Sequence, residues 1–352
     1  MAWRRAPISH LEIERIDETT ALAAIEPEWR ELWNRAPGAT PFQSPEWLLP
    51  WVRHLWGGGK LLVLALRSGP RLQALAPFFL WGYERQPKSV TLSFLGSGIS
   101  DYLDIVAAPE AAEEAAGRIL HWLAEAEGEW DICDLQELRT ESPLLGAAPT
   151  ATLTLSNSSC GVCPVTPLPD RPEALLARVD PKFRTDLRRA ENRLRAKASV
   201  EFIQAGPATW RDLLETLFRL HTARWEQRDD RGVLGADALR AFHRESAAAL
   251  LAAGMLRLYG LFANGECIAV QYNLAAKGRV YAYLSGFDPA WSKCSPGSVL
   301  LAHSIACAIE EGARDFDFLR KREDFKYNWR AEDRLNRRLT LAHAARRAGS
   351  VP

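Results

Sequence analysis

The chain has 352 residues, 47% of them hydrophobic and 25% charged, which excludes a disordered or fibrous polymer and, by length, points to two domains. Its 44 basic and 44 acidic side chains cancel, so no overall field selects a polyanion and any attraction for phosphate must be local. The opening MAWRRAPISH lacks the apolar run of a secretion signal, and no uncharged stretch approaches the roughly 20 residues of a spanning helix, so a cytoplasmic protein without a transmembrane segment is expected.

In chain order, LLVLALRSGPRLQALAPFFL (61–80) reads as a hairpin, SVTLSFLGSGISDYLD (89–104) as a further strand, and the segment from about Ala111 as a helix that ends before EGEWDICDLQ (127–136), another strand. Four prolines in CGVCPVTPLPDRP (160–172) read as a connector. Cys160-Gly-Val-Cys163 has metal spacing but no second Cys/His pair, so no metal site is expected. PKFRTDLRRAENRLRAKA (181–198) carries seven basic against two acidic side chains and reads as a charged helix, either a solvated face or a dock for phosphate-bearing partners.

The stretch at 208–228 has a helical apolar stripe, with His221, Arg224 and Trp225 on it as candidates for a cleft. LRLYGLFANGECIAVQYNLA (256–275) is a second hairpin, GRVYAYLSGF (278–287) a strand, 298–312 a helix stopped by Gly312, and DFDFLR (315–320) the next strand. The two hairpins align at an offset of 195, matching Leu66 with Leu261 and Ala74 with Ala269. The two later strands align at 184, matching Asp131 with Asp315. Preserved order argues for a duplication. The expected fold is α/β: two tandem units with mixed sheets flanked by helices, at residues 1–159 and 181–352, joined by a linker over 160–180.

Three strings, FQSPEWLLPW (42–51), FLGSGISDYLD (94–104) and FDFLRKREDFKYNW (316–329), resemble the CelD-like, exopolysaccharide-associated branch of the GNAT acyltransferase superfamily. Tandem GNAT-like halves are also similar to the FemABX aminoacyltransferases. The resemblance implies transfer of an acyl group from acetyl-CoA or another acyl-CoA to an amine or hydroxyl, with a saccharide or other small acceptor and polysaccharide-synthesis machinery as partners. The alternatives are an aminoacyl-tRNA-dependent transferase and a non-catalytic component of such a complex.

In a GNAT unit the acyl arm lies between two splayed strands, which here implies Tyr283, Ser285 and Gly286 opposite Asp317. The usual glycine-rich loop is replaced by Lys293-Cys-Ser295-Pro-Gly297-Ser298, in which Ser295 is expected to cap the helix and Gly297 to admit a pyrophosphate to free N–H groups. Asp317, Lys326 and His221 are the candidate catalytic groups. Arg224, Trp225, Arg320 and Trp329 are candidate acceptor contacts. Asp101 and Tyr102, with Phe42, Trp47 and Asp104, either shape an acceptor groove in the first half or stabilise a domain interface.

Overall fold

A computed structural model describes residues 11–82, 89–148, 150–226 and 236–344, with 223–226 by backbone alone. The elements run β1 (Glu12–Ile16), α1 (Thr19–Ala24), α2 (Glu26–Arg35), α3 (Pro45–His54), β2 (Lys60–Ser68), β3 (Arg71–Trp81), β4 (Thr91–Phe94), β5 (Val106–Ala107), α4 (Ala112–Glu125), β6 (Ile132–Arg139), α5 (Pro143–Gly146) and β7 (Leu153–Pro167). They continue through α6 (Pro172–Arg178), α7 (Pro181–Lys197), β8 (Val200–Gln204), α8 (Trp210–Glu226), α9 (Asp237–Ala252), β9 (Leu256–Ala263), β10 (Glu266–Ala276), β11 (Arg279–Phe287), α10 (Pro296–Glu310), β12 (Asp315–Asp317), α11 (Asp324–Tyr327) and β13 (Glu332–His343).

Two compact units result, residues 1–161 with 335–352 and residues 162–334. The chain therefore passes between them inside β7 and inside β13. This differs from the expected linker at 160–180, because residues 160–167 are strand and 172–178 are helix. Pro164 lacks an N–H but its carbonyl accepts from Phe318 N at 2.9 Å, and Val165–Pro167 pair with β12. Pairing with a strand some 150 residues away overrides the local turn preference of the prolines. Cys160 and Cys163 sit three apart on this strand and so face opposite ways, which does not suit shared ligation.

Each unit has the same strand order. In the first, β1-β2-β3-β4 are successively antiparallel, β4 and β6 are parallel, and β6 is antiparallel to β13. In the second, β8-β9-β10-β11 are antiparallel, β11 and β12 are parallel, and β12 is antiparallel to β7. Helices flank these mixed sheets. The hairpin offset of 195 is borne out in detail: Leu66 pairs with Ala74 and Leu261 with Ala269, and each ladder shifts register beside that pair.

The second offset needs correcting by one residue. Phe79 pairs with Ser93, and Leu92 with Cys133, so Ser93 faces the same way as Asp134. In the other unit Leu274 pairs with Tyr281 and Tyr281 with Asp317. Because Phe79 corresponds to Leu274, the counterpart of Asp317 is Asp134. A one-residue slip puts a side chain on the wrong face of a sheet, which sequence similarity this short does not detect.

The first unit is built on buried tryptophans. Trp29 and Trp33 of α2 donate to the carbonyls of Gln43 and Thr40, and the Gln43 side chain accepts from Thr40 N at 2.7 Å. The string at 42–51 is thus a capping turn followed by α3, with Trp47 fully buried. The strand expected over 89–104 stops at Phe94, because Gly96 and Gly98 take φ of 87° and 92° and turn the chain.

Candidate functional site

The second unit's sheet opens where a GNAT donor is expected. Parallel pairing of β11 with β12 covers only Arg279–Tyr281 against Asp315–Asp317, while β11 runs on to Phe287. A bulge on β11 sharpens the divergence: Asn273 pairs with Ala282 but Tyr272 with Leu284, which leaves Tyr283 as the extra residue. A bulge bends its strand and re-aims side chains, here Tyr283 toward α9. Beyond the last β11–β12 pair the backbone of Tyr283, Ser285 and Gly286 lies alongside this gap.

Immediately downstream, α10 starts at Pro296, which fits a helix's first position. Ser295 does not cap it through its hydroxyl as expected. Its backbone is left-handed, with φ 49° and ψ 51°, and its side chain makes no cap bond. Ser295 N closes the preceding turn on Ser292 O at 3.0 Å instead. Gly297 has no unusual φ, and a Cβ there would meet only the Phe287 ring, at 3.4 Å. Neither backbone conformation nor packing requires glycine at this position. Lys293 and Ser298 are exposed beside it.

Gly286 has a different purpose. A Cβ on it would lie 3.0 Å from His221 N and 3.1 Å from Leu220 Cβ, so the missing side chain lets α8 settle on β11. That contact brings His221, itself 5% exposed, over the sheet. His243 of α9 lies close by. Its ring centroid is 5.7 Å from that of Tyr283 and 5.9 Å from that of Tyr272, and Tyr272 and Tyr283 are 5.8 Å apart. Burial, reinforced by the neighbouring His221, pushes the His243 imidazole down to about 3, so it is neutral near pH 7. Burial raises the Tyr272 phenol. The result is a buried aromatic cluster made by α8, α9, β10 and β11, with a neutral imidazole at His243.

Sequence reasoning did not single out His243, Tyr272 or α9. A signal was present, since His243 and Ser246 occupy the stripe that otherwise buries Phe242, Ala247 and Leu250. Polar residues on an apolar helix face are the informative ones.

Asp317 and Lys326 are arranged differently from the expectation of reactive groups. Asp317 is fully buried, and its Oδ1 accepts from Leu319 N at 2.9 Å. The chain after it carries positive φ at Leu319 and Lys321, 58° and 82°. Lys326 Nζ reaches into that turn and donates to the carbonyls of Leu319, Arg320 and Lys321 at 3.2, 2.7 and 3.0 Å, with Glu323 at 3.2 Å. An ammonium has three N–H donors, and the three carbonyls take them. Lys326 and Asp317 hold the turn, with Arg320 presenting its carbonyl to the clasp.

Trp329 is 2% exposed, packs edge-on against Phe183 at 5.1 Å, and its carbonyl accepts from Thr166 Oγ1. It is a core residue that also lines a pocket with Leu175, Leu187 and Ile305. Arg224 and Trp225 lie on α8, but their side chains fall outside the described residues. Asp101 and Tyr102 belong to the first unit and are 8% and 1% exposed. The Asp101 carbonyl accepts from Asn336 Nδ2 at 2.9 Å, and Arg139 lies over the Tyr102 ring at 5.8 Å. Both are packed inside that unit instead of lining a groove.

Among the described residues no group of three His, Cys, Asp or Glu side chains could hold a metal ion, and no helix is long and apolar enough to cross a membrane.

Comparison with curated proteins gave no match. Among solved structures the chain is similar to FemX, at 12% identity and a TM-score of 0.67 over 93% of this chain and 96% of that one. It is similar to L-PGS from Bacillus licheniformis, at 13% and 0.57, and to the C-terminal domain of a putative lysylphosphatidylglycerol synthetase from Agrobacterium fabrum, at 14% and 0.56. In both cases 93% of each chain is covered. Residues 181–327 match the family model described as an acetyltransferase (GNAT) domain. The second unit therefore contains the stretch that matches an acetyltransferase (GNAT) domain, and the chain as a whole has the two-unit α/β fold that it shares with FemX.

Proposed function

We propose that the second unit is an acyltransferase that takes its acyl group from acetyl-CoA or another acyl-CoA and passes it to an amine or hydroxyl of a small acceptor such as a sugar. The parting of β11 from β12 beside the start of α10 carries this reading, supported by the domain match over the same residues. A bound acyl-CoA supplies a thioester carbonyl open to attack. Along β11, the backbone of Tyr283, Ser285 and Gly286 is available for the amides of its arm. The N–H of Gly297, at the positive end of a 15-residue helix, is available for the pyrophosphate; Ser298, whose N–H closes on Ser295 O at 3.0 Å, offers its hydroxyl, and Lys293 adds a point charge.

The acceptor is assigned to the face with His221, His243 and Tyr283. The neutral imidazole of His243 can accept a hydrogen bond from an amine or hydroxyl and orient it without bringing a charge into the buried face. Asp317 and Lys326 act as positioning residues that keep the turn after β12 out of the gap. The CelD-like strings support a saccharide acceptor and a place in polysaccharide synthesis.

A test of the donor site is calorimetric titration of coenzyme A into the parent, Gly297→Glu and Lys293→Ala, with thermal unfolding of each. Gly297→Glu is expected to lose binding by more than about tenfold at nearly unchanged Tm. Lys293→Ala is expected to lose about fivefold or less, as suits an exposed charge. Equal binding by Gly297→Glu and the parent would remove the assignment.

One observation favours a second reading, an aminoacyl-tRNA-dependent transferase like the FemABX proteins. On α7, Lys182, Arg188, Arg193 and Lys197 are exposed, while ion pairing within the helix involves Arg189 with Asp186 and Arg195 with Glu191. RNA retained by the purified chain, together with no coenzyme A binding by well-folded parent, would transfer the proposal to that reading.

A further inference from the structure

The first unit repeats the strand divergence of the second but fills it with different chemistry. Parallel pairing of β4 with β6 covers only Thr91–Leu92 against Ile132–Cys133, after which the chain turns away at Gly96. A cleft of about 660 Å³ lies at this divergence, within the usual size range of small-molecule sites. Trp51, Trp56 and Trp81 line it, and Trp51 stacks edge-on with Phe79 at 5.2 Å. Gly57 and Gly58, both at positive φ, keep the rim beside Trp56 free of side chains.

Beside Trp81, on the same face of the sheet, lies a polar edge of Ser93, Asp134 and Gln136. Asp134 occupies the position that Asp317 holds in the other unit. Its carboxylate accepts from Arg338 Nε and a second Arg338 nitrogen at 2.6 and 2.9 Å, and from Gln136 Nε2 at 2.7 Å. Ser93 Oγ accepts from Trp81 Nε1 at 3.2 Å, which leaves its own proton to donate. Gln136 retains its carbonyl and one N–H, and Asp134 Oδ1 retains a lone pair. The edge thus offers donors and acceptors side by side.

Charge decides between ligand classes. A quaternary ammonium would suit several tryptophans near a carboxylate, but Arg338 already neutralises Asp134. Among the described residues no lysine or arginine lines the cleft, so its described walls offer a phosphate no cation. A flat apolar face with hydroxyls around its rim, each able to donate and accept, matches the tryptophans and the polar edge together. We propose that this cleft binds a neutral hexopyranose ring, stacked on Trp56 and Trp81 with its hydroxyls on Ser93, Asp134 and Gln136. The inference stands apart from the donor reading, since sugar binding needs no acyl donor.

The test titrates the full chain with cellotetraose and with chitotetraose, without coenzyme A, following heat and tryptophan fluorescence. One or both are expected to bind. Trp56→Ala and Trp81→Ala should each weaken binding about tenfold or more, and the exposed Gln136→Ala by about threefold to tenfold as one hydrogen bond is lost. Gln136→Ala guards against a tryptophan variant that fails to fold. Absence of binding by the parent at millimolar sugar overturns the proposal. So does unchanged affinity in Trp56→Ala and Gln136→Ala, or binding of tetramethylammonium in the cleft in place of either sugar. Each of these outcomes leaves the coenzyme A titration unaffected.

Discussion

Asp104 shows how one buried carboxyl sets a pH dependence for its unit. Its Oδ1 accepts from Ile105 N at 2.8 Å and Ser142 Oγ at 2.9 Å, yet burial outweighs both and lifts the carboxyl from 3.8 to about 7. Below about pH 4 the native and unfolded chains both hold the proton. Between about 4 and 7 only the native chain does, so stability falls as pH rises through that window and levels off above it. Asparagine keeps the accepting oxygen for Ser142 and Ile105 and removes the titration. Denaturant unfolding at about pH 5 and about pH 8 should therefore show Asp104→Asn reducing the acid-side advantage by about 2–3 kcal/mol. The buried His243 works in the opposite direction, since its lowered pKa makes stability rise with pH from about 3 toward 6.5. Its contribution is common to parent and variant and cancels in the comparison. Identical pH slopes for the two proteins would contradict the assignment to Asp104.

At the scale of elements, two glycines in one short segment do unlike things. Gly286 lets α8 approach β11, and adding a methyl pushes on the His221 backbone and Leu220 at 3.0–3.1 Å. Gly286→Ala is expected to cost about 1–3 kcal/mol through overpacking. Gly297→Ala places its methyl in ordinary contact with Phe287 and should cost well under about 1 kcal/mol. Comparable Tm losses in both would show that the helix start is as tightly packed as the strand. The sequence suggests Gly297 as the point where a ligand approaches the backbone, while Gly286 enters only through the strand that the GNAT resemblance places along the acyl arm; a missing side chain looks the same in a string whether a ligand or a helix occupies the space. The sequence likewise suggests Lys326 as a reactive lysine. The three carbonyls that take its protons come from a turn whose left-handed residues, Leu319 and Lys321, carry no sequence signature.

For the molecule as a whole, the last strand belongs to the first unit. Residues 335–343 of β13 complete the sheet beside β6, where Leu339 pairs with Leu135 and Asn336 Nδ2 donates to Glu137 at 2.7 Å. Ending the chain at Arg334 should open that edge. Hydrogen exchange is expected to show protection lost across β6 while the β9–β10 hairpin keeps its own. Loss appearing first in β9 and β10 would refute this division of the chain.

What the sequence determined alone was local. Alternation and turn residues located both hairpins, and their cross-strand partners Leu66–Ala74 and Leu261–Ala269 follow from it, since a tight hairpin fixes its own register. The α/β class and the helix start at Pro296 were legible for the same reason. Only the tertiary structure decided that prolines 164 and 167 lie in a strand, that Asp134 rather than Cys133 matches Asp317, and that His243 meets Tyr272 and Tyr283. Each depends on which face of a strand or helix meets a partner far away in the chain, and that is settled by burial of whole surfaces rather than by neighbouring residues.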